Sequence, residues 1–138
     1  MSHKRKEIRS AIAAVLPSAL PGFTYRKFAY RPGDVAALPV YEIATPRTEV
    51  EAEAVDDETQ EVRIEITLRM KGNEDVFDLL DDLGQAVETA TLAALRPITS
   101  RPGLLRVETA PAPDAAEPIG LMLLTFTARA YVARGNPI

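Results

Sequence analysis

Few residues in this chain are equipped for chemistry. Its single histidine, His3, sits in the stretch Met1-Ser2-His3-Lys4-Arg5-Lys6. General acid–base catalysis and Ser-His-Asp catalysis both need an imidazole held beside oriented partners, and a histidine at a basic terminus reads as a solvated residue. There is no cysteine, which excludes disulfides, thiolate nucleophiles and sulfur-ligated zinc. Asp78, Asp81 and Asp82 fall within about one helical turn and have the oxygen donors a divalent cation wants. No further ligand stands at a metal-specific spacing, so they read as a solvated helix face. Asp56-Asp57-Glu58 lacks the interleaved spacing and glycine of an EF-hand loop. The seven glycines are scattered; Gly22, Gly33, Gly72 and Gly103 look like turn residues, and no phosphate-cradling loop is formed. Lys4-Arg5-Lys6 could touch phosphate but reads as the polar start of a helix. Tyr25, Phe28 and Tyr30 interleave with Arg26 and Lys27 in the manner of a base-stacking surface; aromatics on a strand more often fill a core. The chain therefore carries no catalytic machinery that the sequence reveals. We expect a non-enzymatic protein without cofactor or metal, one that binds or assembles.

The totals agree with that expectation. A length of 138 residues suits one domain with one core. Hydrophobic residues make up 46% and charged residues 26%, the balance of a soluble globular chain. The net charge of -4 and pI near 5.1 argue against specific nucleic-acid binding, which usually shows a basic face. No run approaches the roughly 20 apolar residues that span a bilayer, and Glu7, Arg9 and Ser10 interrupt what would be a signal-peptide core. We expect a protein made and kept inside a cell, with no membrane partner.

The elements follow from periodicity. Ile8, Ala11, Ile12, Val15 and Leu16 form one apolar stripe, predicting a helix over Lys4 to Leu16 that Pro17 ends. Phe23 to Tyr30 is an aromatic strand with a bulge near Arg26-Lys27, followed by a turn at Arg31-Pro32-Gly33-Asp34. Leu38 to Ala44 is a second strand. Gln60 to Met70 alternates most cleanly: Val62, Ile64, Ile66, Leu68 and Met70 on one face; Arg63, Glu65, Thr67 and Arg69 on the other. Asn73 is placed to cap a helix from Glu74 to Leu95, about 33 Å long. Strands at Leu104 to Thr109 and Ile119 to Val132 flank a proline-rich loop, Ala110 to Pro118. The fold class is α+β: a mostly antiparallel, mixed sheet of about five strands, with two helices packed on one face.

Between the second and third strands, Thr45 to Gln60 carries Glu49, Glu51, Glu53, Asp56, Asp57 and Glu58 against a single basic residue, Arg47. A long hairpin with an acidic tip fits this stretch. Together with Arg63 and Arg69 on the wet side of the third strand, these residues are the candidate assembly interface. An uncovered sheet face or edge is a common meeting surface with another chain. Deleting Val50 to Glu58 is expected to spare the monomer fold and abolish assembly.

The order of these pieces resembles one phage family. The opening Lys4-Arg5-Lys6-Glu7-Ile8-Arg9-Ser10-Ala11-Ile12 is similar to the start of the lambda-type phage minor tail protein U, the tail terminator. Leu38-Pro39-Val40-Tyr41-Glu42-Ile43 then resembles its Leu-Pro strand, and Glu61-Val62-Arg63-Ile64-Glu65-Ile66-Thr67-Leu68 its alternating strand. A long helix led by acidic residues and a last strand, Leu123 to Tyr131, complete the match over nearly the whole chain. The resemblance implies a homo-oligomer, a hexameric ring, that caps the tail tube, halts its polymerisation and offers the head-attachment surface. Its partners would be the tail tube protein and the head–tail connector protein, and its place the virion tail, assembled in the bacterial host cytoplasm. Three alternatives stay open: another head–tail joining or tube protein, a small cytosolic oligomeric binding module, and an enzyme using Asp78, Asp81 or Asp82.

Overall fold

A computed structural model describes residues 4–26, 38–46, 58–72, 75–111 and 119–132. Among the described residues, seven elements run in the order α1 (Lys4–Ala19), β1 (Thr24–Tyr25), β2 (Val40–Ala44), β3 (Glu58–Lys71), α2 (Val76–Leu95), β4 (Ser100–Pro111) and β5 (Ile119–Val132). The five strands form one sheet in the order β1-β2-β3-β5-β4. Every pairing is antiparallel except β1 with β2, which is parallel. The α+β class, the five strands and the two helices are as expected.

β3 and β5 are the spine of the sheet. They pair over 14 residues each, from Glu58 opposite Val132 to Lys71 opposite Ile119. Period-two alternation gives β3 a buried and a more open side; β5 buries its even-numbered residues from Gly120 to Ala130 and also Ile119 and Thr125 on the other face. Val62, Ile64, Ile66 and Leu68 join Met122, Leu124, Phe126, Ala128 and Ala130 in the core. Ile8, Ile12 and Leu16 of α1 and Val76, Leu80, Val87 and Leu95 of α2 seal that face. Among the described residues no helix covers the other face, where Arg63, Glu65 and Thr67 lie opposite Thr127, Thr125 and Leu123.

Small residues set how closely α2 approaches the sheet. A Cβ on Gly84 would lie 2.7 Å from Met122 Sδ, and one on Gly120 would lie 2.9 Å from Val76 Cγ2. Both glycines are buried, so here glycine serves proximity rather than a left-handed turn. Gly22, at φ 85°, is the turn glycine that the Pro21-Gly22 pair predicts.

The structure corrects several boundaries. α1 continues through Pro17 to Ala19. Pro17 loses its own N–H bond and crowds the Ala13 carbonyl, yet the helical bonding continues past it, Leu20 N donating to Leu16 O at 2.8 Å, and Leu20 is buried at 1% exposure. The helix therefore gains a core residue by running on. β1 spans two described residues and runs parallel to β2; residues 27–30 of that aromatic stretch and its turn lie outside the described residues. α2 begins at Val76, with Asp75 at the N-cap position and no side-chain capping bond, and its 20 residues span about 30 Å. The predicted cap Asn73 lies outside the described residues. β4 is twice the predicted length, taking in Ser100 to Pro111. Register shifts between Ser100 and Gly103, and between Leu104 and Arg106, break its alternation, which hid it from a period-two reading.

Candidate assembly surface

The sheet ends in two unlike margins. On one side is β1, a two-residue strand. On the other is β4, twelve residues long and, among the described residues, bonded to β5 alone. An edge strand that long offers a row of unpaired backbone groups. Pro102 and Pro111 lie near its ends, where edge strands tolerate a missing donor and where pairing with another chain is blunted. Between them Leu105 is 58% exposed and Val107 46% exposed. Leu105 is the extra residue at the shift between the pairs Leu104–Phe126 and Arg106–Thr125. Arg106 and Glu108 form an exposed ion pair at 2.7 Å, which contributes little to stability.

Two helices do not cover five strands, so a groove is left along each margin. Beside β4, α2 supplies Asp81, Gly84, Gln85 and Glu88, and the sheet supplies Val107, Met122 and Leu124, around a groove of about 280 Å³. Its floor is apolar and its rim acidic. Asp81 and Glu88 form no ion pair among the described residues. Beside β1, α1 supplies Lys6, Arg9, Ser10, Ala13 and Ala14, and the sheet supplies Tyr25 and Ile43, around a groove of about 500 Å³. This margin is basic.

The basic margin is built by bonds from α1 to the end of β2. Arg5 Nη1 donates to Thr45 O at 3.0 Å and to Pro46 O at 2.9 Å, and Arg9 Nη1 donates to Thr45 Oγ1. Guanidinium groups suit this task because their fork holds two acceptors at once. Tyr25 stacks on Tyr41, with ring centroids 5.1 Å apart and planes 8° from parallel. Burial pushes the Tyr41 phenol above its ordinary pKa, and the neighbouring Tyr25 adds to the rise.

Arg63 is exposed on the helix-free face of β3. Arg69, on the same face, is paired with Glu42 of β2, both side chains being about one-fifth exposed. Arg47, Glu49, Glu51, Glu53, Asp56 and Asp57 lie outside the described residues. Glu58 opens β3 opposite Val132. β2 and β3 are antiparallel neighbours, Val40 facing Arg69 and Ala44 facing Glu65, so the acidic stretch connects two paired strands. Asp78, Asp81 and Asp82 are exposed on α2, and among the described residues no three metal-ligating side chains gather at one point. Among the same residues no helix is long and apolar enough to cross a membrane. Sequence reasoning missed the β4 edge and both grooves. The signal available was the weak alternation of Leu105 and Val107 with charged neighbours.

No protein-family model matches the chain, and no curated protein matches it. Among solved structures, the chain is similar to one from the "Virion of native gene transfer agent (GTA) particle", with a TM-score of 0.53 at 13% identity. The similarity covers 93% of this chain and 94% of that one. At this identity the likeness is one of fold: the α+β arrangement of five strands and two helices has a counterpart in a chain of a virion particle.

Proposed function

We propose that this chain is a non-enzymatic structural component of a phage-like particle, and within that class a tail terminator. In this reading copies close into a ring on the end of the tail tube, stop its polymerisation and present the surface to which the head connector attaches. The observation that carries the proposal is the fold likeness to a virion chain over nearly the full length of both. A correspondence of that extent concerns a whole arrangement of elements rather than one shared hairpin. The order of sequence elements that resembles the tail-terminator family narrows the class to the terminator. The long open β4 edge and the two unlike sheet margins support it further, because a closed ring needs heterologous contacts between different surfaces of one subunit.

Deleting the gene in the cell that encodes it tests this reading. A terminator's absence leaves tail tubes of uncontrolled length without heads, and a plasmid copy restores finished particles. Particles of normal length and number without the gene would refute it. Loss of tubes altogether would instead indicate a tube component.

A further inference from the structure

We propose that the acidic groove between α2 and β4 is the docking site for the basic α1 margin of a second copy of this chain, joined head to tail. The inference deepens the proposed ring by naming the two surfaces that meet. Three observations lead to it. First, the groove has an apolar floor at Val107 and Met122, a rim bearing the carboxylates of Asp81 and Glu88, and an open strand edge beside it. A groove with an apolar base and acidic rim fits a ridge of small side chains flanked by cations. Second, the body of α1 supplies that ridge: Lys6, Ser10 and Ala14 are exposed at one-turn spacing along the helix, with Ala13 half-buried beside them, on the helix wall of the basic groove. Third, the two surfaces cannot satisfy each other within one chain. They flank opposite edges of a five-stranded sheet, and strands about 4.8 Å apart separate the margins by roughly 19 Å.

Charge fixes the direction of the contact. A chain of net charge -4 repels its copies on average, so association favours the orientation that sets the basic margin against the acidic one. Two acidic grooves facing each other across a two-fold axis would be repelled. Because each subunit keeps one free groove and one free ridge after every addition, the contact propagates until the rotation closes it. The exposed Leu105 and Val107 of β4 are covered as the neighbouring α1 seats.

A charge swap tests the contact. One variant carries Asp81→Lys and Glu88→Lys; the other carries Lys6→Glu and Ser10→Glu. Arg9 is left intact because it holds Thr45. Circular dichroism and thermal melting establish that each variant folds, and light scattering over a concentration series reads its mass beside the wild-type chain. Each variant alone is expected to need at least tenfold more protein to assemble than wild type. An equimolar mixture is expected to recover the wild-type mass, because each reversed groove then meets a reversed ridge. Variants that assemble like wild type, or a mixture that stays dissociated, overturn this docking while leaving the ring itself standing. A wild-type chain that stays monomeric throughout overturns the docking as well, and the gene deletion then judges the particle role separately.

Discussion

Arg5, near the start of α1, grips Thr45 forty residues later: its guanidinium donates to the Thr45 carbonyl at 3.0 Å and to the Pro46 carbonyl at 2.9 Å. These bonds tie the first helix to the two residues that follow β2, so the basic margin is anchored where the chain leaves that strand. A hydrogen bond from a charged donor contributes more than a neutral one, and losing the donor leaves two carbonyls short of a partner. Arg5→Ala is expected to lower stability by about 1–3 kcal/mol, read as a reduced urea midpoint at unchanged slope.

The Arg69–Glu42 pair crosses β2 and β3 on the helix-free face. With about four-fifths of each side chain out of water, solvent and salt screen the pair less than an exposed one. A double-mutant cycle with Arg69→Met and Glu42→Gln is expected to give a coupling of about 1–3 kcal/mol. Added salt should change that coupling only slightly.

Gly120 holds β5 against the first turn of α2, its Cα hydrogens facing Val76 and Leu80 at distances that leave no room for a side chain. Gly120→Val must push the helix off the sheet or force strained rotamers. The expected cost is about 1–3 kcal/mol, measured as a lowered melting temperature. Gly22→Ala tests a different cause, because no atom crowds that site and only its φ of 85° resists a side chain; it is expected to lose about 1 kcal/mol without any change in packing.

Tyr41 is nearly buried at 3% exposure, and its phenol titrates above the ordinary value of 10.0 because burial disfavours the phenolate. A folded-state pKa above the unfolded one means the unfolded chain loses its proton first. The stabilisation is therefore complete below about pH 10 and is lost as pH rises through the folded-state pKa. Tyr41→Phe removes this titration. The stability difference between wild type and variant, followed by denaturant melts, should stay constant below pH 10 and shift against the wild type above it. A difference that stays flat to high pH would contradict the assignment.

The spine of the fold was legible because β3 alternates without interruption, Val62, Ile64, Ile66 and Leu68 declaring a buried face, and because β5 is a long apolar, β-branched and aromatic run that buries Met122, Leu124, Phe126, Ala128 and Ala130. α2 was equally plain from Leu80, Val87 and Leu95. β1 was not, because two residues carry no period, and its parallel pairing depends on where the chain goes between them and β2. α1 outran Pro17 because burying Leu20 offsets the lost hydrogen bond and the crowded Ala13 carbonyl. β4 was half seen, since each register shift moves the side-chain phase by a residue. The assembly surface was hardest to read. Its parts are ordinary residues such as Lys6, Ser10, Glu88 and Val107, which become a surface only when the sheet order sets α1 at one margin and α2 at the other. The strongest charge signal in the sequence, Glu49 to Glu58, falls almost wholly outside the described residues.

The central claim is that copies of this chain close into a ring. Light scattering across a concentration series measures that directly. The account predicts a single closed species near six copies of a 15.0 kDa chain, about 90 kDa, with nothing larger as concentration rises. Masses that grow without limit, as a tube protein's would, or a tight dimer that never enlarges would contradict it.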